Sequence, residues 1–336
     1  MDRCPPEICL EIFGFACTDD GYTGRSLSLV STFFHDTSQP VQLQSVAVYG
    51  ANQMHAFAFF LRSRPPHLRK VRHLFITDRE RVEHPQEHID EEDADEFFDN
   101  MHFFLTSILA DISPTLQTLM LNFCVNYFIT EVPLLPVELP ALTELTVHGG
   151  PIEESFLRSS QAKSLKRLHI ASHCQLPSNL SSCLSYIAPS LTHLRISGVY
   201  GSGDCGDLQE MLHTATSIWS KRAHPDGEDQ SWIAGLCKVI IGRSPPWSGA
   251  DYKETTRVLT RLYENDTSGR LAVLKIPPRP FGQRAQRGID FDSDGMFFIA
   301  RRHWLQRIIG GEGCWGIGKE HCEQKRDRWG GIVDVQ

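Results

Sequence analysis

PTLQTLML (114–121), PALTELTV (140–147) and PSLTHLRI (189–196) repeat one phrase: proline, a variable residue, leucine, two variable residues, leucine, a variable residue and an aliphatic side chain. Chance supplies on the order of a tenth of one such match in a chain of this composition, so the phrase marks an internal repeat. A looser form, apolar at the first, fourth and sixth places, runs further in both directions. It occurs at Leu43-Val46-Val48, Val71-Leu74-Ile76, Leu116-Leu119-Leu121, Leu142-Leu145-Val147, Leu165-Leu168-Ile170, Leu191-Leu194-Ile196, Leu236-Val239-Ile241 and Leu271-Leu274-Ile276. Apolar residues two apart share one face of a β-strand, so each copy is read as a strand.

Between the copies the hydrophobic period changes from two to 3.6. Phe97, Phe98, Met101, Phe104, Leu105, Ile108, Leu109 and Ile112 fall on one helical face, as do Leu180, Cys183, Leu184 and Ile187. Leu208, Met211, Leu212, Ala215, Ile218 and Trp219 form a third face. Val258, Leu259, Leu262 and Tyr263 form a fourth, behind Asp251 and Glu254 at capping-box spacing. A further helix is read over Phe297–Ile309. Strands alternating with helices must run parallel, because the chain crosses back between them. The shorter repeat intervals, 26 from Leu116 to Leu142 and 23 from there to Leu165, favour a β/α solenoid over an open doubly wound sheet. The predicted fold class is α/β with parallel strands. Two longer intervals hold insertions, an acidic loop over 78–93 and a second loop over 221–230.

If the apolar set of each strand faces the helices, the alternate residues line the other face. That places His73, Phe75, Met120, Glu144, Thr146, His148, Arg167, His169, His193 and Arg195 together as a candidate target-binding surface. Four of these are histidines, so the affinity of a partner bound there is expected to change between about pH 6 and 7.5.

The stretch CPPEICLEIFGFAC (4–17) reads differently. Glu7 and Glu11, one turn apart, are its only charges, and Ile8, Cys9, Leu10, Ile12, Phe13, Phe15 and Ala16 occupy the rest of the circumference. A surface helix normally has one apolar stripe of limited width. A helix apolar nearly all round needs cover on two sides, from the following helices around Leu27, Leu29, Val30, Phe33 and Phe34 and from a partner.

This opening resembles the F-box, which docks a substrate receptor onto the Skp adaptor of a cullin–RING ubiquitin ligase. The resemblance lies in Pro5-Pro6-Glu7-Ile8, in Ile12-Phe13, in Leu27-Ser28-Leu29-Val30-Ser31 and in Phe34-His35-Asp36. Cys4 stands where the family carries Leu; a thiol behaves as a small hydrophobe, which implies weakened docking rather than its loss. The resemblance implies an adaptor-binding set of Pro5, Pro6, Glu7, Ile8, Ile12, Phe13, Leu29, Val30 and Phe34. The repeats resemble an irregular leucine-rich-repeat array, whose full signature is met by Leu116, Leu119, Leu121 and Cys124. Together with the closing GGEGCW (310–315), the chain looks like the large F-box families of mushroom-forming fungi. It implies an F-box-like domain over 1–42, a leucine-rich-repeat-like domain over 43–310 and a C-terminal tail over 311–336. The implied role is a non-catalytic substrate receptor, without cofactor, that holds a Skp-type adaptor and, through it, a cullin–RING ligase.

Charge and composition narrow the alternatives. The formal net charge is −8, but eleven acids and two arginines between Asp78 and Asp99 contribute −9, leaving about +1 elsewhere. That balance argues against a nucleic-acid surface. No apolar run is long enough for a membrane span, and the first residues lack the pattern of a signal peptide. Ten cysteines without paired spacing then read as reduced thiols in the cytoplasm, the nucleus or both. GSGDCG (201–206) matches a dinucleotide turn, but three residues separate it from its strand and no acid follows the next strand to hold a ribose. GCWGIGK (313–319) lacks the Ser/Thr of a P-loop and follows a helix. Cys314, His321 and Cys322, and likewise His84, Glu87 and His88, fall short of a four-ligand zinc set, so no metal is expected. Two other roles stay open: a binding scaffold whose head merely caps the solenoid, and a nucleotide-dependent enzyme using the turn at 201–206.

Overall fold

The structure is a computed structural model that describes residues 4–79, 91–123, 135–149, 162–171, 176, 179–199, 206–221, 232–243, 250–274, 293–317, 325–326 and 332–333. Eight strands form one sheet in strict sequence order: β1 (Ser45–Tyr49), β2 (His73–Thr77), β3 (Thr118–Asn122), β4 (Glu144–His148), β5 (Arg167–Ala171), β6 (His193–Val199), β7 (Lys238–Arg243) and β8 (Leu271–Leu274). Every pairing is parallel. The α/β class and the parallel strands are as expected from the period change.

The repeated phrase sets the register. Leu74, Leu119, Leu145, Leu168, Leu194 and Val239 lie side by side in successive strands, as do Ile76, Leu121, Val147, Ile170, Ile196 and Ile241. The entries of β3 to β7 repeat one hydrogen-bond motif. The Gln117 and Thr118 amides both donate to the Arg72 carbonyl, those of Thr143 and Glu144 to Gln117, and those of Lys166 and Arg167 to Thr143. Thr192 and His193 continue it on Lys166, and Cys237 and Lys238 on Thr192. In the turns before β3, β4 and β6 a proline (Pro114, Pro140 or Pro189) presets φ and has no N–H to leave unpaired.

Helices α4 (Gly50–Ser63), α5 (Glu91–Ile112), α6 (Leu180–Ile187), α7 (Gly206–Lys221) and α8 (Ala250–Asn265) cover one side of the sheet. Their buried rows, Met54-Ala58-Leu61 in α4 and Leu105-Ile108-Leu109-Ile112 in α5 among them, pack on the aligned leucines. Three short helices precede β1: α1 (Pro6–Ala16), α2 (Tyr22–Leu27) and α3 (Thr32–Ser38). The Asp19 carboxylate caps α2 by accepting from the Gly21 and Thr23 amides. This head is tied to the first strand, where the Ala47 amide donates to the Asp20 carbonyl and Gln44 Nε2 to that of Gly14. A ninth helix, α9 (Ser293–Ile308), and a 3-10 turn at Gly313–Trp315 lie against the other side of the sheet.

Five expectations need correction. Helix α4 went unread, although Met54, Ala58 and Leu61 follow the i, i+4, i+7 spacing of a buried stripe. Helix α5 begins at Glu91, so residues 91–93 of the expected acidic loop are helical. Asp251 lies inside α8, one residue past its start, rather than at the position before the helix that a capping box requires. In the last strand Leu271 aligns with Val239 and Val273 with Ile241, not Leu274 with Val239 as the Leu271-Leu274-Ile276 triad required. A shift by an odd number of residues exchanges the two faces, so Leu274 looks away from the helices. Within the expected C-terminal tail over 311–336, Cys314 and Trp315 are buried against Ile240, Ala272 and Leu274 and so belong to the folded body. The loop residues 222–230, the turn residues 201–205, His84, Glu87, His88, Cys124, Lys319, His321 and Cys322 lie outside the described residues.

Gly149 closes the β4 repeat at φ +91°, and a Cβ there would stand 1.7 Å from the Phe123 carbonyl oxygen. Gly149→Ala is expected to lower the stability measured by urea unfolding by more than about 2 kcal/mol, because both the left-handed backbone and the contact with Phe123 oppose a side chain.

Candidate functional site

Two surfaces compete for the description: the outside of the head and the second face of the sheet. In the head, Pro6 occupies the first turn of α1, where its missing N–H costs nothing. Cys9, Phe13 and Cys17, at i, i+4 and i+8, form the inward stripe and are buried. Phe13 packs on Phe34 of α3 with ring centroids 5.2 Å apart, and Ser31 caps α3 by accepting from the Phe34 amide. The flank of α1 turned away from this contact carries Ile8, Ile12 and Phe15, which are 47%, 52% and 80% exposed. Leu29 and Val30, between α2 and α3, are 78% and 61% exposed, and Phe33 is also exposed.

Of the residues predicted to meet a partner, Pro5, Pro6, Glu7, Ile8, Ile12, Leu29 and Val30 are therefore accessible. Phe13 is buried and Phe34 half-buried; packed on each other, they hold α1 to α3. Phe15 and Phe33 take their place on the surface. Phe15 lies three residues after Ile12 and seven after Ile8, a spacing visible in the sequence.

The second face is the larger surprise. Phe75, Met120, Glu144, Thr146, His148 and His169 are buried, and His73, Arg167, His193 and Arg195 are half-buried. The cover comes from α9, whose Phe297, Ala300, Trp304 and Ile308 pack on Tyr49, Phe75 and Met120. Trp304 is fully buried, with its ring centroid 5.6 Å from that of Phe75. The expected open target-binding face is thus occupied by the chain's own C-terminal segment. The physical reason is that β1, β2, β3 and β7 carry Tyr49, Phe75, Met120 and Ile240 at positions where an open face would be polar.

Glu144 anchors that cover. Arg307 donates to both carboxylate oxygens at 2.7 and 2.9 Å, Trp315 Nε1 donates at 3.0 Å, and Arg167 stands 3.5 Å away. Midway along α9, Arg301 donates to Tyr49 Oη at 2.9 Å and to the Asp20 carboxylate at 2.8 Å, joining head, sheet and α9. Arg195 reaches the Cys314 carbonyl. Burial pushes the Cys314 thiol up to about 12, which removes it as a nucleophile.

The histidines do not titrate where an exposed face would place them. Burial, reinforced by Arg72, pushes His73 down to about 4; burial, reinforced by Arg195 and Arg302, does the same to His303 of α9. Burial lowers His169 well below its ordinary value, with Arg195, His148 and His303 adding to the effect. His193 is lowered by burial and then by Arg167 and Lys238. His73 and His169 therefore stay uncharged through about pH 6–7.5, so an affinity change in that window would not come from these two.

A scan against protein-family models finds no match for this chain, and a search of curated proteins finds none either. Among the described residues, no helix is long and apolar enough to cross a membrane.

Two outcomes follow for stability. Glu144→Gln leaves Arg307 without its counter-charge and is expected to cost about 3–5 kcal/mol in urea unfolding, with part recovered when Arg307→Met is added. The unfolded chain's histidines take up protons near pH 6.5, whereas His73 and His303 in the folded chain resist until about pH 4. Between those values the unfolded state binds more protons, so the thermal midpoint is expected to fall as the pH drops from 6.5 to 4.5. His303→Gln should flatten that slope.

Proposed function

We propose that this chain is the substrate-recognition subunit of an SCF-type (cullin–RING) ubiquitin ligase. Residues 4–42 act as an F-box-like head that binds a Skp-type adaptor, and the parallel stack behind them is a leucine-rich-repeat-like solenoid that presents the target. The observation that carries this reading is the apolar surface left over on the head. Ile8, Ile12 and Phe15 on α1, with Leu29 and Val30 before α3, stay in water although α1 already buries a separate stripe. Covering Ile12, Phe15, Leu29 and Val30 is worth on the order of 5 kcal/mol before association costs, enough to make a partner for this surface worthwhile. Such a receptor needs no catalytic residue, because holding target and ligase together makes transfer a matter of proximity. It would work in the cytoplasm, the nucleus or both.

The covered sheet face changes how a target would be held. Between the head and Trp315 the accessible surface on this side is composite. It comprises the outer side of α9, with Phe298, Ile299, Arg302 and Ile309, and the half-buried strand entries Arg167, His193 and Lys238. Apolar and basic groups together suit a protein segment with acidic and apolar side chains.

One observation favours the scaffold reading. The head sits on β1, the edge strand, where the Ala47 amide donates to the Asp20 carbonyl. Open ends of repeat stacks need such a cap. Capping accounts for the buried side of the head and leaves the exposed stripe unexplained.

Purified adaptor separates the two readings. Ile12→Asp combined with Leu29→Asp is expected to abolish co-purification with a Skp-type adaptor and to change the free energy of urea unfolding by less than about 1 kcal/mol, as exposed sites do. Phe13→Asp should instead unfold the head. Binding that survives the double substitution, or a wild-type chain that ignores the adaptor, contradicts the proposal.

A further inference from the structure

The start of α1 brings together two cysteines that lie outside the adaptor-binding and target-binding sets. Pro5 is the N-cap of α1, so Cys4 and Cys9 occupy the position just before the cap and the position four residues after it. Side chains at these two places face each other across the first turn, where they ordinarily form an apolar staple. Here both are thiols, and both are free. Cys9 is 2% exposed, and its Sγ lies 4.0 Å from the Cys4 carbonyl oxygen. Burial pushes the Cys9 thiol up from its ordinary value, and a hydrogen bond with the Cys4 thiol adds to the effect. Cys4 is half-buried and so keeps access to water.

The backbone holds the pair in place. The rings of Pro5 and Pro6 lock φ on both residues, and the Ile8 and Cys9 amides each donate to the Pro5 carbonyl at 3.1 Å. The chain between the two thiols is therefore stiff, and a group that is held against its partner reacts with it as an intramolecular neighbour. Cys17, the third cysteine of the head, offers no alternative pairing. It lies eight residues beyond Cys9, about 12 Å along the helix axis, past the roughly 7 Å between Cα atoms that a disulfide tolerates. The other described cysteines, Cys183, Cys237 and Cys314, belong to α6, the entry of β7 and the turn after α9.

We propose that Cys4 and Cys9 form a reversible disulfide, which makes the start of α1 a redox-sensitive modification site. A small disulfide of the glutathione class supplies the oxidising equivalents. The accessible Cys4 thiolate attacks one of its sulfurs, forming a mixed disulfide and releasing one glutathione thiolate. The Cys9 thiolate then attacks the Cys4 sulfur, which forms the protein disulfide and releases the second glutathione. Two protein thiols are oxidised, one glutathione disulfide is reduced, and the two protons end on the glutathione thiols. Cys9 needs no solvent access for its step, because the sulfur it attacks is already beside it. The pair stands whether or not the head binds an adaptor.

Peptide mapping by mass spectrometry tests it on the full chain equilibrated with oxidised glutathione. Trypsin cleaves after Arg3 and Arg25, so one peptide, 4–25, carries Cys4, Cys9 and Cys17 together. That peptide should become lighter by two hydrogens, with fragmentation placing the link between Cys4 and Cys9 and with Cys17 still open to alkylation in urea. Dithiothreitol should restore the original mass. Cys17→Ala should leave the link in place, and Cys9→Ala should stop the reaction at a glutathione adduct on Cys4. The mapping of the unaltered chain needs no variant to fold. A glutathione adduct that persists on Cys4 of the unaltered chain, a link that runs to Cys17, or Cys4 and Cys9 both remaining open to alkylation would each overturn the proposal.

Discussion

A sheet that is apolar on both faces has to be covered twice. The aligned leucines and isoleucines of β1–β8 are met by helices α4–α8, as in any α/β layer. The opposite face carries Tyr49, Phe75, Met120 and Ile240, and among the described residues the second layer over these comes from the C-terminal segment. Trp304 alone removes about 200 Å² from water, worth about 5 kcal/mol. The polar anchors around Glu144 position that layer, since a buried carboxylate is tolerable only when its oxygens are bonded. The depressed pKa values of His73, His169, His193 and His303 are consequences of this cover.

The head presents the reverse situation. Its own core, Cys9, Phe13 and Cys17 against α3, is closed, and Gly24 seats it on the chain before β1. What is left outside is a stripe of large aliphatic and aromatic side chains at helical spacing. Scattered apolar residues on a surface are ordinary, but a run placed beside an already satisfied core is not explained by folding. Arg301 couples the two situations: one guanidinium spans Asp20 of the head and Tyr49 of the sheet from its place on α9. The angle at which the head presents its stripe is thereby tied to the helix that closes the sheet.

The strands were legible because the Pro-x-Leu-x-x-Leu phrase encodes both a turn and a face, and seven of the eight triads fall in the observed register. The eighth failed because Leu271, Val273, Leu274 and Ile276 offer apolar residues in both phases, so the local pattern does not choose between them. The cover by α9 was hidden for a different reason. Phe297, Ala300, Trp304 and Ile308 announce a helix, but nothing local states which surface it meets. The signal lay in the sheet, where Phe75, Met120 and Ile240 are too apolar for water, and it becomes readable only when strands are compared in register. Phe13 and Phe15 illustrate the same limit: two residues apart on one helix, they were separated into core and surface by the position of Phe34.

Hydrogen exchange of the full chain with and without a purified Skp-type adaptor addresses the central claim most directly. The account requires adaptor-dependent slowing confined to residues 6–16 and 29–34, with β2–β7 and α9 unchanged. Exchange that is identical in both samples, or protection that appears on the sheet and leaves α1 untouched, would contradict it.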